Sequence, residues 1–175
     1  TFSDRARDAV RGGSAGDSGE AMVRQQGYIN GLVYDPNASM AGHKAADLLR
    51  AADLIRVGLA GSVRTYPMQA HDGQVRQLQA MVYGGNQPAG YASEPGEAVN
   101  YVENHDNQTL YDINVLKLPV ATSSAERARV QVLHHRIVRI RERRRVAKER
   151  PEREFDVLPS QERLVEQAEG RHRIA

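Results

Sequence analysis

The sequence contains no cysteine, which excludes disulfide bridges and thiolate metal sites but assigns no compartment. Tryptophan is also absent, and aromatic residues make up 5% of the chain, so stacking platforms are scarce. No apolar run approaches the roughly 18 residues of a membrane-spanning helix. No secretory leader opens the chain: Thr1-Phe2-Ser3-Asp4-Arg5 is polar and lacks an initiator methionine. That opening carries the expectation of a chain cut from something longer. Internal repeats are missing. Phosphate-loop chemistry is missing too, because the glycines at 12, 13, 16 and 19 are not followed by Gly-Lys-Ser/Thr.

What remains is 175 residues, enough for one modest domain. The formal charge of +2 conceals an asymmetry: residues 1–133 hold 12 Lys+Arg against 14 Asp+Glu, and residues 134–175 hold 12 against 8. Two compositions therefore meet near His134. Neither is basic enough to imply nucleic-acid binding by charge alone.

Along the chain, residues 1–43 read as loop with short ordered pieces. Arg11 to Gly19 holds four glycines in nine residues. Gly27 to Tyr34 is β-prone but interrupted by glycine, and Asp35-Pro36-Asn37 marks a turn. Ala46, Leu49, Ala52, Asp53, Ile55 and Leu59 recur near helical spacing, which predicts a helix over 44–60 with Gly61 as its stop. Leu48, Leu49, Leu54 and Ile55 form its expected buried face. Residues 61–97 return to loop and weak strand, punctuated by His71-Asp72-Gly73, read as a surface turn, and by Gly84 to Gly90.

Val99-Asn100-Tyr101-Val102 reads as a short strand that stops at a polar cluster, Glu103 to Gln108. In a parallel α/β barrel such strand ends build the active site. Ser123 and Glu126 have capping-box spacing. Val130, Leu133, Ile137 and Ile140 then continue an apolar stripe until Arg144, and residues 160–170 form a further short helix candidate. His43 and His134-His135 have no partners at metal-ligand spacing.

Five segments in order resemble the type I pullulanase and limit-dextrinase branch of the α-amylase family, glycoside hydrolase family thirteen. They are Phe2 to Gly13, Gln26 to Leu32, Asp53 to Gly61, Gln87 to Tyr91, and Val99 to Asp112 with Tyr101-Val102-Glu103-Asn104-His105-Asp106-Asn107 at its centre. The resemblance covers residues 2–133 and departs at two places: Asn104 stands where these enzymes often carry Lys, and Tyr111 where Trp is common. It implies an α/β fragment of a (β/α)8 TIM barrel, from about strand 6 to helix 7. Residues 1–133 would then be a partial catalytic domain.

The resemblance also implies chemistry. Retaining glycosidases pair a nucleophilic carboxylate with a carboxylic acid across an oxocarbenium-like transition state. The family adds a third carboxylate that grips the reacting sugar, and Asp106 matches it. His105 and Asn107 would contact sugar hydroxyls, with Asn104 at the strand end beside them. The nucleophile and the acid belong to earlier strands and have no counterpart here; Asp4, Asp8 and Asp17 fall in the wrong segment to replace them. The expected partner is an α-glucan such as pullulan, limit dextrin or amylopectin, with no nucleic acid and no membrane. No cofactor is expected; calcium is common in the family, but no site for it is assignable. Without the flanking match, a His-Asp-Asn run after a strand reads as a turn with local hydrogen bonds.

Residues 134–175 leave the family pattern and form an Arg/Glu-rich, mostly helical tail. The favoured reading is a shifted frame of a GC-rich gene: Glu162-Arg163-Leu164-Val165 can be spelled so that the adjacent frame reads Ser-Asp-Trp, close to a Ser-Gly-Asp-Trp these enzymes carry downstream. A solvated mixed-charge helix is the second reading. A nucleic-acid arm is the third, weakened by interspersed glutamates and by the lack of aromatic residues for stacking. A non-catalytic carbohydrate-binding or structural remnant is the alternative for the chain as a whole. A barrel closes only with a complete ring of strands, so an isolated chain with exposed strand edges is expected to be marginally stable.

Overall fold

The computed structural model describes residues 1–38 and 42–146, the side chains of 134, 135 and 138–146 excepted. Among the described residues the strands are β1 (Phe2–Ser3), β2 (Pro67–Gln69), β3 (Val75–Gln77), β4 (Val82–Gly84), β5 (Gln87–Pro88) and β6 (Val99–Asn100). The helices are α1 (Asp4–Arg11), α2 (Glu20–Arg24), α3 (Ala45–Leu59), α4 (Leu110–Lys117) and α5 (Ser124–Val146). β1 and β6 pair in parallel, Phe2 against Val99 and Ser3 against Asn100. Two antiparallel hairpins, β2–β3 and β4–β5, lie between them in sequence.

Helix α3 matches its sequence pattern. The Asp47 carboxylate accepts the Lys44 amide at its start, and Gly61 adopts a left-handed φ of 77° just past its end. Leu48 and Ile55 are buried as expected, whereas Leu49 and Leu54 are half-buried. Ser123 and Glu126 make the anticipated reciprocal cap of α5: the Glu126 carboxylate accepts from the Ser123 amide and hydroxyl, and Ser123 Oγ accepts the Glu126 amide. Ile137 is buried and Val130 packs beside it, but Leu133 is 39% exposed, so only part of the predicted stripe faces inward. Ile140 and the helix candidate at 160–170 lie outside the described side chains. The change of composition near His134 falls inside α5.

Residues 1–38, read as loop with short ordered pieces, are more regular than that at one point. Asp4–Arg11 is a full helix, with an acid in its first turn and a base in its last, each complementing the helix dipole. Its buried Ala6, Ala9 and Val10 span barely one apolar turn, and the glycines that follow mask that short period. Gly27 to Tyr34 forms turns in place of the β tendency read there. Asn30 explains the difference: its Oδ1 accepts the Gly27 amide at 2.6 Å, and its Nδ2 donates to Arg11 O at 2.9 Å. The strand expected over 99–102 pairs only at Val99 and Asn100.

One apolar cluster joins Val10, Ile29, Leu32, Ala51, Ile55, Val102, Leu110 and Ile137, drawing on α1, α3, α4 and α5. Fully burying side chains such as Val10 and Leu110 contributes about 1.5–3 kcal/mol each. A second cluster, Val57, Met68, Leu78 and Ala89, seats the hairpins against α3, and Leu54 packs against both clusters. Asp53, on α3, accepts the His71 amide and ring Nδ1, both at 2.8 Å, and Arg56 Nη1 at 2.9 Å. The His71-Asp72-Gly73 segment is a surface turn as read, with Asp72 and Gly73 exposed, and His71 ties it to the helix.

Helices α1 and α3 approach closely at Gly58, where a Cβ would lie 2.5 Å from the Cβ of Ala6. Gly58→Val is expected to weaken this pairing by about 1–3 kcal/mol through overpacking. The measurement is amide hydrogen exchange: protection of Ala6 to Val10 should fall while that of β2–β3 is kept. Unchanged protection in α1 would show that the close approach is not required.

Candidate functional site

The polar loop after β6 is held at its root by helix α1. Tyr101 packs edge-on against Phe2, with ring centroids 5.4 Å apart. Its hydroxyl donates to Asp4 Oδ1 at 3.1 Å and accepts from Arg7 Nη1 at 2.5 Å. Arg7 is almost fully buried and also pairs with Asp8, whose second carboxylate oxygen accepts the Tyr83 hydroxyl. Burial pushes the Asp8 carboxyl up, against the opposing pull of Tyr83 and Arg7. One turn further along α1, buried Arg11 donates to Val102 O at 3.3 Å. Burial, reinforced by Arg7, lowers the pKa of Arg11.

Beyond this root the chain emerges. His105 is 87% exposed and Asp106 71% exposed, with His105 Nε2 3.1 Å from Asp106 Oδ1. Asn104 is half-buried, and its Oδ1 accepts the Asp106 amide at 3.2 Å, an Asx-type turn that fixes the backbone under the pair. Asn107 is half-buried and lines a hollow of about 10 Å³ shared with Arg7, Arg11, Asp17 and Lys117. The structure thus brings Asn104, His105 and Asp106 onto one turn and places Asn107 at the edge of a charged hollow behind it. No group of three or more His, Asp or Glu side chains placed to hold a metal ion occurs among the described residues.

Three residues that hold this loop and its root were given no individual role from the sequence: Arg7, Arg11 and the loop's own Glu103. The Glu103 carboxylate accepts the Leu110 amide at 2.6 Å across the whole loop. No local spacing rule marks a glutamate seven residues ahead of a helix. Asp4, Asp8 and Asp17 are each engaged by neighbours, Asp17 by the Ser14 amide and hydroxyl at 2.8 Å.

No family model matches the chain. Individual relatives do. The pullulanase of Klebsiella pneumoniae is 42% identical over 135 residues, covering 76% of this chain and 12% of that protein. Pullulanase 1, chloroplastic, of Arabidopsis thaliana is 39% identical over 137 residues, covering 76% of this chain and 14% of that protein. The solved structure of Klebsiella pneumoniae pullulanase complexed with maltotriose matches 79% of this chain and 13% of its own, at 39% identity and a TM-score of 0.71. A match over 76% of 175 residues must include the central residues, Tyr101 to Asn107 among them.

Sequence and fold together define a fragment of a larger glycoside hydrolase. Its type is specific: this is a partial chain of the pullulanase type, spanning about an eighth of the curated relatives it matches.

Behind the loop, Lys117 closes α4 and is 2% exposed. Its Nζ donates to Gly12 O at 2.5 Å and Gln25 O at 2.7 Å, clasping the glycine-rich turn after α1. Burial, then the nearby Arg11, lower its pKa from 10.5 to about 8. Between these values the unfolded chain binds the extra proton, so stability should rise as pH increases. The window ends near pH 10, because Tyr83 and Tyr101 hold their protons more tightly when folded and reverse the slope. The urea midpoint is expected to increase from pH 8 to 10, and Lys117→Met to flatten that increase. An unchanged slope in the variant would assign the effect elsewhere.

Proposed function

We propose that the chain supplies one wall of the sugar site in an enzyme that debranches starch or glycogen. The reaction is hydrolysis of α-1,6-glucosidic bonds in pullulan or limit dextrins with retention of configuration. Residues 1–133 are a partial TIM-barrel domain, from about strand 6 to helix 7, with β1 and β6 as neighbouring barrel strands. Residues 134–175 are an Arg/Glu-rich tail whose sequence is non-native to the family, although Ile137 packs into the core cluster.

Asp106 is the transition-state-stabilising carboxylate, gripping the hydroxyls of the reacting glucose as positive charge develops on its ring. His105 donates to a hydroxyl of the same sugar, and Asn104 and Asn107 complete the contacts. The observation that carries this reading is the position of the His105–Asp106 pair. It stands just past the end of a parallel-paired strand, on a turn whose two side chains are open to solvent, inside the stretch shared with pullulanases. Maltotriose bound to the Klebsiella pneumoniae enzyme supports an α-glucan as the ligand.

The nucleophile and the acid lie elsewhere in the parent enzyme. General acid–base help alone is worth about 10²–10⁴-fold, so the 175-residue chain by itself is expected to release no sugar from pullulan. Grafted into the Klebsiella pneumoniae pullulanase in place of the matching stretch, it should support pullulan hydrolysis. Asp106→Asn in that chimera should then lower kcat on the order of 10²-fold or more, as loss of a preorganised transition-state contact does. Sugar release by the chain alone, or full kcat in the Asp106→Asn chimera, would sink the assignment.

A further inference from the structure

The loop from Glu103 to Thr109 carries every proposed sugar contact, yet its tip is poorly supported. The side chains of His105 and Asp106 make no hydrogen bond among the described residues, and their one close polar contact is the 3.1 Å approach of His105 Nε2 to Asp106 Oδ1. What fixes the tip must therefore act on the backbone at either end. On the strand side, Val102 is buried and its carbonyl is held by Arg11. On the helix side, Leu110 is fully buried, and Thr109 and Asp112 cap α4: Asp112 Oδ2 accepts Thr109 Oγ1 at 2.7 Å, and Thr109 Oγ1 accepts the Asp112 amide at 3.2 Å.

One side chain joins the two ends. Glu103 follows Val102 directly, and its Oε2 accepts the Leu110 amide at 2.6 Å. That amide belongs to the first residue of α4 and has no partner within the helix. The carboxylate also faces the positive end of the helix dipole. A charge-assisted bond of this length is short and strong for its kind. It converts seven residues of loop into a ring closed by a side chain, and the Asn104–Asp106 turn stiffens the ring from within.

We propose that Glu103 is a positioning residue for the sugar site: it staples the strand end to α4 and so holds Asp106 and His105 where the reacting sugar meets them. This inference rests on the assignment of Asp106 above. A displacement of an ångström at a reacting centre can cost 10²-fold in rate, which is why a bond remote from the sugar would matter.

Two measurements test it. In the 175-residue chain, Glu103→Ala should cut amide-exchange protection at Leu110 about tenfold, with protection in α3 unchanged. In the chimera, Glu103→Ala should lower kcat on pullulan by about tenfold while KM moves less than about twofold. Glu103→Gln, whose amide oxygen still accepts from Leu110, should restore most of kcat. Glu103→Asp, with a carboxylate one carbon too short to reach, should behave like the alanine variant, and it keeps the test decisive if alanine impairs folding. Once Asp106 is already Asn, Glu103→Ala should add little further loss, because the two act as a unit. A merely structural glutamate would add its full cost in that background. Loss at Asp106→Asn with none at Glu103→Ala or Glu103→Asp overturns the positioning role alone. No loss at Asp106→Asn overturns the site assignment and this inference with it.

Discussion

The parallel pairing of Phe2–Ser3 with Val99–Asn100 is the constraint on which the described structure turns. It joins residues nearly a hundred positions apart through a two-residue strand on each side. Supporting bonds lie around it: Val99 donates to Thr1 O at 2.8 Å, and the Thr1 amine donates to Glu97 O at 2.7 Å. Because α1 starts at the residue after β1, and the polar loop starts just after β6, this one register sets the helix beside the loop. Arg7 then meets Tyr101, and Arg11 meets Val102. Slipping the register by one residue would turn Ser3 and Asn100 outward. Ser3 now contacts Ser62, and Asn100 bonds the Gly58 carbonyl.

A parallel pair this short is not self-sufficient. Parallel strands are normally covered on both faces. Here Phe2 and Val99 stay 60% and 49% exposed, and each strand has a single partner among the described residues. That exposure agrees with a chain covering about an eighth of its pullulanase relatives. The well-packed part is instead helical: α1 against α3, with α4 and α5 completing the cluster around Val10 and Leu110. The candidate loop is rooted in the packed side through Val102 and Leu110 and leaves its His-Asp pair exposed to solvent.

Sequence and structure agree where information is local. Helix α3 was readable because a long apolar period is reinforced by its stop at Gly61. The cap of α5 was readable because Ser123 and Glu126 are three residues apart. Helix α1 escaped because its apolar period is one turn long and is followed by glycines. The Gly27 to Tyr34 segment misled because β-prone Ile29 and Leu32 are buried by a turn that Asn30 organises through Arg11, nineteen residues away.

The residues of the proposed site were legible as a motif, and the resemblance around them needed no structure. By itself the sequence determined the presence of a short strand before the polar run, the adjacency of His105 and Asp106, and the kinship to pullulanases, because each is written in contiguous or closely spaced residues. Only the tertiary structure decided what holds that motif. Arg7 and Arg11 on α1, and the Glu103 carboxylate on the Leu110 amide, serve it through contacts that follow from chain crossing and loop closure. No sequence period encodes such contacts.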